Sequence, residues 1–166
     1  MSFVKGISTY LNPALVVGGR VLAGEAGCKD VDIRGKRSVI IQTDNKNFKE
    51  KVLNTFFKAG VARSISDYVV ISDDLILICE MKSENEGNMK VQLKNTSKVI
   101  RYILALIAIH EKIVIPVPPI KYVCLANAYK GQKQTAKFEK LDSIEWYDGE
   151  LFKLPCNSIY HLSQFI

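Results

Sequence analysis

Apolar positions change their period several times along the chain, and each change marks an element. Val31 to Arg34 and Ser38 to Thr43 flank Gly35, and the second run is β-branched, which predicts a hairpin. Asp44 and Asn45 then offer an N-cap for a helix ending at Gly60, on which Phe48, Val52, Leu53, Phe56 and Phe57 fall on one side. Asp67 to Ile71 and Leu75 to Lys82 are rich in β-formers and are separated by Ser72-Asp73-Asp74, so they predict a second hairpin. After a polar loop, Ser83 to Asn88, a helix is expected from about Met89 to Ile109, with Leu93, Val99, Ile100, Ile103, Leu104, Leu106 and Ile107 as its apolar face. Ile120 to Ala126 reads as a buried strand, Lys130 to Lys140 as a basic loop, and a last short helix is expected near Ile159. The Gly-rich first 28 residues give no decisive period. Without an internal repeat or long linker, residues 1–166 read as one α/β domain with a mixed central sheet flanked by helices.

Composition narrows the class. With 48% hydrophobic and 24% charged residues the 166-residue chain is an ordinary globular sequence, which excludes fibrous and disordered classes. The most apolar region, Val99 to Ile120, is interrupted by Arg101 and His110-Glu111-Lys112, so no membrane span is expected. The N-terminal apolar stretch is broken by Pro13, Gly18, Gly19 and Arg20, unlike a signal peptide. A net charge of +6 leans toward an anionic partner, nucleic acid before membrane. The four cysteines form no C-x-x-C pair, and no His stands at metal-ligand spacing, which argues against zinc and redox motifs. Cys79 and Cys124 lie inside strand-like runs as small core residues, so a reducing, cytoplasmic setting is expected.

The chemistry concentrates at the end of the second hairpin. Strand side chains alternate, so Glu80 and Lys82 share one face while Cys79 and Met81 take the other. If Asp73-Asp74 is a two-residue turn, Ser72 pairs with Leu75 and the ladder puts Asp67 opposite Glu80, with Cβ atoms about 4.5–5.5 Å apart. Two carboxylates so close repel unless a cation lies between them, and oxygen ligands completed by water suit Mg²⁺, with Mn²⁺ able to substitute. Lys82 would then assist an attacking water at a scissile phosphate.

An acid before a hairpin, then acid-x-Lys, then a helix and a strand resembles the PD-(D/E)XK nuclease superfamily, the restriction-endonuclease-like fold. The likeness covers roughly residues 44–126 and implies an αβββαβ core and Mg²⁺-dependent hydrolysis of nucleic-acid phosphodiesters, with DNA endonuclease activity expected. By position it implies Asp67 and Glu80 as metal ligands and Lys82 as the catalytic lysine. Ser66 stands where the family's namesake Pro would be, and the short stretch Val61 to Ser66 leaves little room for the strand the family places there, so Ser38 to Thr43 is one candidate for it. Glu50 on the first helix, Gln92 on the long helix and Asp74 in the turn are secondary candidates. Thr96, with Gln92, lies on the apolar side of the long helix near its start.

A second acid-x-Lys, Asp44-Asn45-Lys46, serves as a control: Asp44 is better explained as a helix cap. Lys130, Lys133 and Lys137 form the best electrostatic candidate for nucleic-acid contact, followed by Lys90 and Lys94 on the long helix, where no acid occurs between positions 88 and 101. His110 and His161 read as surface or helix-end residues, and Trp146 and Tyr147 as core or surface packing residues whose rings could also stack on a base. A chain this small would need a homodimer or larger complex to cut at a specific sequence. The competing reading is a catalytically inactive nuclease-fold module, a nucleic-acid-binding subunit or an immunity or adaptor protein.

Overall fold

A computed structural model describes residues 3–24, 27–53, 64–82, 87–111, 116–129 and 139–166, without side chains at 51–53. Ten strands and two α-helices are described. A seven-stranded sheet contains β1 (Val16–Val17), β4 (Ser38–Gln42), β5 (Tyr68–Ser72), β6 (Ile76–Lys82), β7 (Ile120–Ala126), β8 (Ile144–Trp146) and β9 (Gly149–Leu154), in the order β1-β4-β5-β6-β7-β9-β8. A second sheet has the order β10-β3-β2, from β2 (Val21–Leu22), β3 (Val31–Arg34) and β10 (Ile159–His161). The helices are α1 (Phe3–Ser8) and α2 (Met89–Glu111).

The large sheet is mixed. β4, β5 and β6 form an antiparallel meander, whereas β6, β7 and β9 run parallel to one another. Strands buried on both faces need continuous apolar runs, which explains the sequences of β5 and β6, where every residue but Lys82 is buried. Alternation sends Val69, Ile71, Ile76 and Ile78 into one core with α1 and with Met89, Leu93, Ile100 and Leu104 of α2. It sends Val70, Leu77, Cys79 and Met81 into another core with Leu22, Val31, Ile33 and Tyr160 of the small sheet. The expectation of helices on both faces is therefore corrected: among the described residues, helices cover one face and a three-stranded sheet the other.

Three local expectations also change. Val31–Arg34 and Ser38–Gln42 are strands but not a hairpin, because β3 pairs with β2 and β10 while β4 pairs with β1 and β5. The link between them crosses from one sheet to the other. Arg37 takes φ 49, and a Cβ on Gly35 would come within 2.3 Å of Leu162, so this close crossing needs glycine. The segment near Ile159 is strand β10 followed by a 3₁₀ turn, Leu162–Phe165, since Tyr160, Leu162 and Phe165 bury against the large sheet. Leu106, placed on the apolar face of the long helix, is 47% exposed. At the first helix, Asn45 Oδ1 accepts the Asn47 N–H and supplies the cap, Phe48–Leu53 forms a π-helical stretch, and Phe56 and Phe57 lie outside the described residues.

Cys79 and Cys124 are free and buried, as expected of core thiols. Cys28 and Cys156 form a disulfide joining the loop before β3 to the loop after β9. The expectation for the cysteines rests on Cys79 and Cys124 alone and does not anticipate this bond; the sequence separation is 128, so no local motif announces it. Among the described residues no helix is long and apolar enough to cross a membrane.

Candidate functional site

Ser72 N–H donates to the Leu75 carbonyl at 2.9 Å, which fixes the hairpin register. Pairs then alternate along the ladder, Ile71 with Ile76, Val70 with Leu77, Val69 with Ile78 and Tyr68 with Cys79. The next position sets Asp67 against Glu80. Counting from the hydrogen-bonded Ser72 and Leu75, this pair falls in the non-hydrogen-bonded class, where side chains approach most closely. Both carboxylates are buried, Asp67 to 6% exposure and Glu80 to 1%, on the face that carries α2.

The ladder ends here because Asp67 replaces it. One step further, the Met81 N–H would meet the Ser66 carbonyl, but that carbonyl accepts from the Thr43 hydroxyl, and Asp67 Oδ2 takes the Met81 N–H at 2.6 Å instead. The Asp67 carbonyl accepts from Thr43 N and Asp44 N at 2.8 and 3.2 Å, so β4 holds the residue from its other side. Lys82 forms an ion pair with Glu80 and donates to Gln92 Oε1 at 2.8 Å. Gln92 Nε2 in turn donates to the Ile65 carbonyl at 3.2 Å. Asp67, Glu80, Lys82 and Gln92 are thus brought together where the hairpin, the 64–66 segment and the start of α2 meet.

The other candidates fall elsewhere. Asp74 is exposed in the turn, at the far end of the hairpin from Glu80. Glu50 is an exposed partner of Lys46, 3.9 Å away. Lys90 is exposed on α2, Lys94 reaches the rings of Trp146 and Tyr147, and Lys130, Lys133 and Lys137 lie outside the described residues. In the second acid-x-Lys, Asp44 pairs with Lys49 and leaves the cap to Asn45, while Asp32 pairs across strands with Val21 and Ile159 and does not oppose Asp44.

The sequence does not reveal what steadies Asp67. Thr96 Oγ1 accepts from both Ser66 N at 2.7 Å and Ser66 Oγ at 2.9 Å while donating to the Gln92 carbonyl, and Asn95 Nδ2 donates to the Ser64 carbonyl at 3.0 Å. Ser66 and Thr96 are both almost fully buried. Hydroxyls thirty residues apart carry no pattern until the helix and the segment are docked. Thr96→Val keeps the shape but leaves the Ser66 N–H and hydroxyl without their acceptor, so it is expected to cost about 2 kcal/mol in urea unfolding, with Thr96→Ser restoring most of it. A Thr96→Val protein as stable as the wild type would contradict this account.

Burial pushes the Cys79 thiol well up, with the Asp67 and Glu80 charges adding to the effect, so a thiolate is disfavoured directly behind the carboxylates. The donor set consists of hard oxygens. Among the described residues no cluster of three or more His, Cys, Asp or Glu side chains gathers. No family model, curated protein or solved structure matches this chain.

Proposed function

We infer that the protein is a Mg²⁺-dependent nuclease that hydrolyses nucleic-acid phosphodiesters, with DNA as the first substrate to test. The observation that carries this reading is the convergence of buried Asp67 and Glu80 on neighbouring strands, with Lys82 on the same face and held at Glu80. Two buried carboxylates with an ammonium at one of them offer hard oxygen ligands for a divalent cation and a proton donor beside it, which is the equipment phosphodiester hydrolysis needs. The antiparallel β4-β5-β6 meander followed by α2 and parallel β7 is compatible with a restriction-endonuclease-like αβββαβ core, while the helix expected from Asp44 to Gly60 as its first element is described only as far as Leu53 and lies between β4 and β5. In this reading Ser38–Gln42, paired with β5, would take the place of the strand for which Val61 to Ser66 leaves little room.

In this reading Asp67 and Glu80 would hold the divalent ion, which when bound would supply screening of phosphate charge. Lys82, released from Glu80, donates to the phosphate or orients the attacking water. Gln92 keeps the ammonium at the mouth of the site, and the Met81 N–H fixes one Asp67 oxygen. The test is incubation of linear, circular and single-stranded DNA and of RNA with Mg²⁺, Mn²⁺ or EDTA, alongside calorimetric titration with Mn²⁺. Cutting that requires the metal is expected. Neither cutting nor Mn²⁺ binding would overturn the reading in favour of a binding module that keeps this architecture without chemistry.

A further inference from the structure

A second surface lies on the same side of the large sheet, at its β8 edge. The β8–β9 turn, Tyr147-Asp148, puts a tyrosine at φ 59, a left-handed conformation that glycine adopts freely and a residue with a Cβ does not. Its ring is 51% exposed. The ring touches Tyr122 and Trp146 along one side, with centroids 6.3 and 5.9 Å away, and the rest of it is left open to solvent. Beside it, Trp146 stands edge-on to Tyr122 at 4.8 Å, and the Lys94 ammonium lies 4.7 Å from the Tyr147 ring centre and 5.6 Å from that of Trp146. Lys90, Lys98 and Arg101 are exposed on the same helix. The nearest acid, Asp148, is engaged by Arg101 at 2.8 Å and by the Tyr122 hydroxyl, and Glu145 alternates to the other side of β8 from Trp146.

We propose that Tyr147 and Trp146, with Lys90, Lys94, Lys98 and Arg101 beside them, form a docking surface for single-stranded nucleic acid, one unpaired base stacking on Tyr147 while the cations follow the phosphates. An exposed aromatic ring takes the face of any base, but only when that base is unpaired, and this favours a single strand over a duplex. A row of cations without an intervening acid on the helix fits a polyanion rather than an apolar peptide. The choice of nucleic acid rests on the nuclease reading of the Asp67–Glu80–Lys82 site. Gln92, which holds Lys82, and Lys94, which reaches the Tyr147 ring, lie two positions apart on α2, so one strand could engage both sites.

The experiment is fluorescence anisotropy of a labelled 20-nucleotide single strand, and of the matching duplex, in EDTA so that binding is read without cutting. Tyr147→Gly removes the ring and suits the backbone, so it is expected to weaken single-strand binding about tenfold without lowering the melting temperature. Tyr147→Phe is expected to bind like the wild type. Lys98→Ala is expected to reduce the slope of log affinity against log salt by about 0.7. Unchanged binding by Tyr147→Gly, or a duplex bound as tightly as the single strand, overturns the proposal, as does failure of the wild type to bind. Tyr147-dependent binding by a protein that cuts nothing would sink only the nuclease reading; cutting with Tyr147-independent binding would sink only this one.

Discussion

Glu80→Gln is expected to slow cleavage by about 10²–10³-fold while leaving the protein at least as stable as the wild type. The two effects have one cause. Glu80 is 1% exposed, and keeping a charge there opposes folding, whereas the isosteric amide fills the same space without charge. Lys82, whose side chain retains 20% exposure, keeps solvent and Gln92 as partners when the charge is gone. Lys82→Met should also end cleavage but with the opposite sign in stability, a loss of about 2–3 kcal/mol, because it leaves the buried Glu80 carboxylate without its cation. Denaturant unfolding and a cleavage assay on both variants separate these outcomes. A structural ion pair would give destabilisation in both cases and no effect on cutting, and cleavage by Glu80→Gln at the wild-type rate would exclude Glu80 from the chemistry.

Reduction of Cys28–Cys156 is expected to cost about 4 kcal/mol and to lower the melting temperature by about 10 °C. The bond closes a loop with a sequence separation of 128, so its loss frees a large part of the unfolded chain. It also ties the loop entering β3 to the loop leaving β9, and so holds the small sheet to the large one. Denatured protein prepared without reductant should show two reactive thiols, Cys79 and Cys124; four would mean that the bond does not form. In the native protein both should resist thiol reagents at pH 8, since both are buried and burial raises the Cys79 thiol.

What the sequence makes legible follows from the range over which its signals act. The second hairpin, the long helix and β7 all lie close to their expected bounds, because each is set by local periodicity and a turn. The opposition of Asp67 and Glu80 follows from a two-residue turn and simple counting, so it could be derived without any fold. Whether Ser38–Gln42 pairs with β3 or β5 depends on which sheet buries Ile40 and Ile41, and that is a long-range choice. The same limit hides the small sheet, whose parallel β3–β10 pair joins residues more than 120 positions apart. Gln92 was accessible as a polar residue on an apolar helical side, whereas the Thr43–Ser66–Thr96 contacts depend on three separate elements meeting. The stacking capacity of Tyr147 is legible from its residue type, whereas its positive φ is not, because nothing in its neighbours' identities reveals it.

Among the described residues the large sheet closes on both sides with very little strand. β1 offers two residues and β8 three, and β8 carries a glutamate between its apolar neighbours. A long unpaired backbone rim would invite another chain to add on, and the interior strands, apolar on both faces, would make such growth favourable. Rims this short present few open donors and acceptors, and Glu145 places charge where a newcomer would have to dock. A protein whose middle strands read like an aggregation sequence thus avoids fibrillar growth through its margins, which leaves the β-branched core free to be as apolar as packing demands.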